Sequence, residues 1–279
     1  MKYGIVISVS KTKFGPIVFK EDLDYNINKA ASLGYDGIEL AIRDPKDLKI
    51  ENLNKLLVKN KLEIISIGTG QLYCEEGLSL SDPDINIRDE TVKRIKKIID
   101  IAKHFNASII IGMVRGNIKD LGNYQSELQK AEIFIRDCLE ELLSYSEKHS
   151  QKFLLEPANR YELNIFNRID EVDSFLKRFR SNLDTKRIGV LADTFHMNIE
   201  ESKITGTFRK YSNLIRHIHF ADSNRCAPGY GHINFKSILR VLNSTNYKDF
   251  VSFEMLPKPS PDMAALIALK RIKKINDEI

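Results

Sequence analysis

Eight short apolar runs punctuate the chain, separated by longer stretches with helical periodicity. The runs are YGIVIS (3–8), GIELAI (37–42), EIISIG (63–68), SIIIGMV (108–114), KFLLE (152–156), RIGVLAD (187–193), RHIHFAD (216–222) and FVSFEM (250–255). Most are continuously apolar rather than alternating, as in strands of a parallel sheet that is covered by helices. Between them, Ala131, Phe134, Ile135, Cys138, Leu139, Leu142 and Leu143 form one helical stripe, and Val92, Ile95, Ile98, Ile99, Ala102 and Phe105 form another. A third stripe, Leu23, Ile27, Ala30 and Ala31, is closed by Gly34 as a C-cap. Strand and helix repeat eight times with no Pro/Gly/Ser linker and no low-complexity tract. The spacing predicts one α/β domain over residues 1–279, a single (β/α)8 TIM barrel, and the length suits it. A doubly wound open sheet fits less well, because no G-x-G-x-x-G follows the first strand.

Charge changes this picture little. With 43 basic and 38 acidic residues the chain is mildly basic, which fits an anionic small substrate as well as weak nucleic-acid contact. The basic runs RIKKI (94–98) and KRIKKI (270–275) carry Ile at helical spacing and read as solvated faces of amphipathic helices. Cys74, Cys138 and Cys226 are odd in number and far apart. That argues against a disulfide framework or zinc ribbon and for a reducing, cytoplasmic setting. No segment has the length of a membrane span, and the N-terminus lacks a signal-peptide pattern.

The strand ends carry the chemistry. In a (β/α)8 barrel the site lies at the C-terminal ends of the strands. The fifth predicted strand ends in Glu156, the sixth in Asp193 and the eighth in Glu254, and the seventh carries His219 near its end. An aspartate such as Asp193 can also cap the following helix. Three carboxylates in one pocket repel each other unless a proton or a cation sits among them. Glu156, Asp193, His219 and Glu254 are therefore the candidate ligands of one divalent metal ion. Oxygen-rich ligands with a single imidazole favour Mn²⁺, with Co²⁺ or Mg²⁺ as alternatives. His217, one layer deeper on the same face, reads as a hydrogen-bonded interior residue.

At these residues the chain resembles the xylose-isomerase-like sugar isomerase/epimerase superfamily, over nearly its whole length. Within it the likeness is nearest to the 5-keto-L-gluconate epimerases, relatives of the D-tagatose (D-psicose) 3-epimerases. RDP (43–45), IGTGQLY (67–73), GLSLSDPD (77–84) and IIIGMVRG (109–116) contribute to it. EPANRYE (156–162), GVLADTFHMNIEE (189–201), HIHFADSNRCAPGYGH (217–232) and VSFEMLP (251–257) are specific in combination. The resemblance implies that Glu156 and Glu254 are an acid/base pair as well as metal ligands. It implies that Glu162, His196 and Arg225 hold the substrate's oxygens. The implied reaction inverts the carbon beside the ketone of a keto-sugar acid, through a cis-enediolate stabilised by Lewis-acid catalysis. Relatives suggest a dimer or tetramer by analogy. Cys226, where a larger residue is usual, and Asn234, where Asp is common, depart from the pattern.

A sugar acid would need a cation for its carboxylate, and a bidentate arginine is the natural device. Arg115 and Arg43 follow the fourth and second strands and are the candidates, while Arg160 reads as positional. Gln71 and Tyr73, after the third strand, are placed to line the pocket. Neutral ketose 3-epimerisation, sugar-phosphate epimerisation and hydroxypyruvate isomerisation are alternatives on the same scaffold, with APGYGH (227–232) as a weak phosphate signal. A nuclease of the AP-endonuclease type needs further histidines after the third and fourth strands, where this chain has Gly68-Thr69-Gly70 and Gly112-Met113-Val114. No DNA-binding surface is evident. A non-catalytic sugar sensor would not need both glutamates.

Overall fold

The computed structural model describes residues 1–279, apart from the side chain of Asp47. Its strands are β1 (Lys2–Ser8), β2 (Phe19–Lys20), β3 (Gly37–Ala41), β4 (Glu63–Gly68), β5 (Ser108–Ile111), β6 (Phe153–Leu155), β7 (Ile188–Asp193), β8 (Ile215–Phe220) and β9 (Phe250–Phe253). All pairings are parallel, and β1 pairs with both β3 and β9, which closes β1 and β3–β9 into an eight-stranded barrel. The two-residue β2, absent from the sequence-based expectation, adds only to the edge of β1. The expected helical stripes lie in helices Leu23–Leu33, Ile85–Ala102 and Tyr124–Tyr145, except for Phe105, which falls in the turn after Ala102, and Gly34 caps the first helix in the left-handed conformation.

Period-two alternation divides the barrel into two environments. Ile5, Ile7, Ile38, Leu40, Ile109, Ile111, Phe153, Leu155, Val190, Ala192, Ile218, Phe220, Val251 and Phe253 belong to the large core shared with the helices. The residues between them belong to the other face of each strand. Ile110, Leu154 and Leu191 form a separate small cluster there, and Val6, Ile17 and Ala41 another. The same face carries Glu39, Ser66, His217, His219 and Ser252, all buried. The outer core therefore supplies the burial energy, and the inner column is free to be polar.

Several strands stop short of their apolar runs. β5 ends at Ile111 because Gly112 departs from extended backbone and Met113–Arg115 forms a 3-10 turn. β6 and β9 end one residue before Glu156 and Glu254. The glutamates thus leave the ladder at its C-terminal rim, while Asp193 remains the last residue of β7.

Candidate functional site

Adjacent strands bring the four expected residues together. Asp193 and His219 are register partners across β7 and β8. Ligand atoms of Glu156, Asp193, His219 and Glu254 all lie within 4.8 Å of one another. Gly112 makes room for this arrangement, because a Cβ there would lie 2.3 Å from Glu156 Oε2. Asp193 divides its two oxygens. Oδ1 accepts from the backbone N–H of Phe195 (2.7 Å) and His196 (3.4 Å), which caps helix Thr194–Glu200. Oδ2 is buried without a hydrogen-bond partner, and so is Nδ1 of His219. That nitrogen lies 3.6 Å from Glu156 Oε1 and 3.8 Å from Asp193 Oδ2.

This crowding shapes the ionisation of the cluster. Burial pushes Asp193 up to about 6 and Glu254 up to about 8, although His219 and Arg225 pull both down. For His219 burial opposes the charge, but Glu39 and Glu156 outweigh it and raise the imidazole well above its ordinary value. Buried carboxylates with raised proton affinity, and two unpartnered atoms 3.8 Å apart, fit a cation held by three carboxylates and an imidazole.

Around the cluster opens a cleft lined among others by Gln71, Cys74, Glu162, His196, Arg225 and Phe14. His196 Nδ1 accepts from the backbone N–H of Asn159 (3.3 Å), so Nε2 carries the ring proton. Burial, then the nearby Arg225, keeps this imidazole neutral, with its pKa well below the usual histidine value. Arg225 adopts φ of 60° and spans two carboxylates, donating to Glu162 Oε1 and to Glu254 Oε2 (3.2 Å). Its guanidinium sits 4.7 Å from the ring of Phe195 and 5.3 Å from that of Phe14. Gln71 donates to Ser8 Oγ (2.7 Å) and keeps a buried, unpaired Oε1.

Other expectations are corrected. Arg115 is fully buried, and its guanidinium donates to the carbonyls of Ile111 (3.0 Å), Glu156, Ile165 (3.2 Å) and Phe166 (3.4 Å). It ties the loop after β6 to the end of β5 and does not line the cleft. Arg43 does not line it either. Arg115 therefore does not serve as a carboxylate receptor, because position at a strand's end leaves open which way the side chain turns. Arg160 pairs with Glu200 at the surface, as a positional residue would. The glycine-containing 227–232 loop turns inward. Asp222 Oδ2 accepts from Gly229 N–H (2.6 Å), and Oδ1 accepts from Ser223 (2.8 Å) and Ile233 (3.0 Å). Those N–H groups are committed to a carboxylate, which removes the support for a phosphate site. Cys226 is partly buried in this loop and does not line the cleft, while Asn234 caps helix Phe235–Ser244.

Sequence reasoning missed Glu39, which accepts from both His217 and His219. A lone glutamate inside the apolar run GIELA was its only signal. It also missed Asn159, which orients His196 and donates to Glu162 (2.9 Å). Among the described residues no helix is long and apolar enough to cross a membrane.

Comparison with known proteins agrees with this fold. Residues 27–275 match the family described as Xylose isomerase-like TIM barrel. The D-psicose 3-epimerase of Ruminiclostridium cellulolyticum is 28% identical over 261 residues, covering 91% of this chain and 83% of that protein. The 3-dehydro-D-guloside 4-epimerase of Escherichia coli is 29% identical over 120 residues, 43% of this chain and 44% of that protein. The crystal structure of the 3-keto-D-glucoside 4-epimerase from E. coli superposes with a TM-score of 0.81 at 21% identity, covering 98% of this chain and 99% of that one, which shows a shared fold.

Proposed function

The chain belongs to the xylose isomerase-like TIM barrel family and is a carbohydrate epimerase of the isomerase class, and we propose that it inverts the carbon beside the ketone of a neutral ketose. The cluster of Glu156, Asp193, His219 and Glu254 would hold one divalent cation, with Mn²⁺ the best match to the donor set and Co²⁺ or Mg²⁺ alternatives. That cation supplies Lewis-acid stabilisation of the negative charge that develops on the ketone oxygen.

Inversion needs a proton taken from one face of the carbon and returned to the other. Glu156 and Glu254 rise from different strands and serve as the pair. Glu254, burdened by burial and neighbouring carboxylates, is suited to hold a proton when its partner is ionised. A positioned base of this kind contributes roughly 10²–10⁴-fold. His196 offers a neutral Nε2–H to a substrate oxygen, and Arg225 offers a fixed positive charge beside it. Glu162 and Asn159 hold these two donors in place. Residues 1–279 act as one catalytic domain. Its three cysteines are free, which supports a reducing compartment such as the cytoplasm.

The observation that carries the neutral substrate is the fate of the cations. Among the described residues Arg225 is the single arginine or lysine lining the cleft, and two carboxylates already share it. Arg115 and Arg43, the residues that a keto-sugar acid would recruit, lie elsewhere. A substrate panel at fixed Mn²⁺ tests this. Neutral ketohexoses should be epimerised with kcat/KM at least tenfold above that for keto-sugar acids of the same length. The reverse order would mean that Arg225 leaves Glu162 to bind a substrate carboxylate, and the sugar-acid reading would stand instead.

A further inference from the structure

Glu39 sits beneath the proposed cation site with no role in the chemistry outlined above. A register shift between Ile38 and Glu39 skips Ile65 and sets Glu39 opposite Ser66. The skipped Ile65 fills space left by Gly4 and Gly37, where a Cβ would lie 2.2 Å and 2.8 Å from its side chain. Alternation between Ile38 and Leu40 turns Glu39 to the inner face, and one oxygen, Oε2, receives three hydrogen bonds. They come from Ser66 Oγ (2.7 Å), His217 Nε2 (3.0 Å) and His219 Nε2 (3.1 Å). The carboxylate is buried.

With Ser66 Oγ donating to Oε2 and both imidazoles converging on the same oxygen, Oε2 acts as the acceptor and each histidine offers hydrogen on Nε2. For His219 this leaves Nδ1 as the atom facing Glu156 and Asp193, and Nδ1 is the buried nitrogen without a partner. The ligand atoms of Glu39, His217 and His219 also lie close enough together to grip an ion. However, three hydrogen bonds already converge on Oε2, and a cation there would have to displace the protons that make them.

We infer that Glu39 is a positioning residue: braced by Ser66 and His217, its Oε2 fixes the ring of His219 so that the Nδ1 lone pair is presented to the cation held by Glu156, Asp193, His219 and Glu254. The inference rests on the proposed cation site. Carboxylates in this relation to a ligating histidine typically govern metal affinity by 10–100-fold.

The test is the Mn²⁺ dissociation constant, read from the electron paramagnetic resonance of free Mn²⁺, for the wild type, Glu39→Gln, Glu39→Leu and Ser66→Ala. Glu39→Leu should weaken binding 10–100-fold. Glu39→Gln retains an acceptor oxygen and should lose less, and Ser66→Ala should lose only a few-fold. In the Zn²⁺-loaded wild type, the His219 Nε2–H should appear in ¹H–¹⁵N spectra as a slowly exchanging downfield resonance. That resonance should vanish in Glu39→Leu. Urea unfolding of the metal-free proteins separates a purely structural role. Should Glu39→Leu lower the unfolding midpoint but leave affinity and the ring N–H unchanged, the inference is overturned. Absence of Mn²⁺ binding by the wild type would instead sink the cation site itself, and this inference with it.

Discussion

Asp193 illustrates how one side chain serves the fold and the site at once. Its Oδ1 caps the helix that presents His196, and its Oδ2 is left for the cluster. The cap was legible in the sequence as an aspartate ending an apolar run. The division between two oxygens was not, because it depends on the side-chain torsion. The raised proton affinities have a consequence for stability. Glu254 and His219 both titrate above their unfolded values, so the folded protein binds more protons than the unfolded chain near neutrality. Stability from such groups is present at low pH and is lost as pH rises through the folded pKa. The depressed His196 and His217 act in the opposite sense, but only below about pH 6.5, the ordinary histidine value. Metal-stripped protein should therefore show a Tm that falls between about pH 6.5 and 8. Saturating Mn²⁺ or the Glu254→Gln substitution should flatten the fall. A Tm that rises over this window in the stripped wild type would contradict the account.

At the level of elements, the C-terminal ends of the strands were readable and the loops beyond them were not. Period-two alternation and the barrel's chemistry pointed to Glu156, Asp193, His219 and Glu254, and these four do converge. The eight barrel strands were legible because both faces of most are buried. Arg115 shows the limit. Its position after β5 suggested a pocket lining, yet its guanidinium is spent on four backbone carbonyls from β5 and the loop after β6. No pattern of residue types distinguishes an arginine that binds a ligand from one that staples two loops. Glu39 was hidden for a different reason: alternation between Ile38 and Leu40 sets its inward face, but nothing in the sequence shows that His217 and His219 meet it there. Arg115→Ala removes those charged hydrogen bonds from a dry interior, with only the Ile111 and Phe166 carbonyls keeping a backbone donor, and should destabilise the fold by about 3 kcal/mol in urea unfolding. Its effect on kcat/KM should be equal for neutral ketoses and sugar acids. A loss confined to the acids would restore Arg115 as a substrate ligand.

For the whole molecule, the closed sheet is what turns scattered residues into a site. Four side chains drawn from residues 156 to 254 share a 4.8 Å neighbourhood because β6, β7, β8 and β9 are consecutive staves with a common rim. The fold by itself does not choose the reaction, as many chemistries occupy such barrels. In the reaction proposed here, the choice comes from two glutamates on either side of one carbon and from the donors His196 and Arg225. Deuterium incorporation tests this most directly. Protein stripped of metal, then reloaded with Mn²⁺, is incubated with a neutral ketohexose in D₂O, alongside Glu156→Gln and Glu254→Gln. Reloaded wild type should incorporate one deuterium at the carbon beside the ketone as the epimer forms, while stripped protein and both variants, still folded, should incorporate none. Epimer formation by the stripped protein, or unimpaired exchange in either variant, would contradict the claim that one cation and two glutamates perform the reaction.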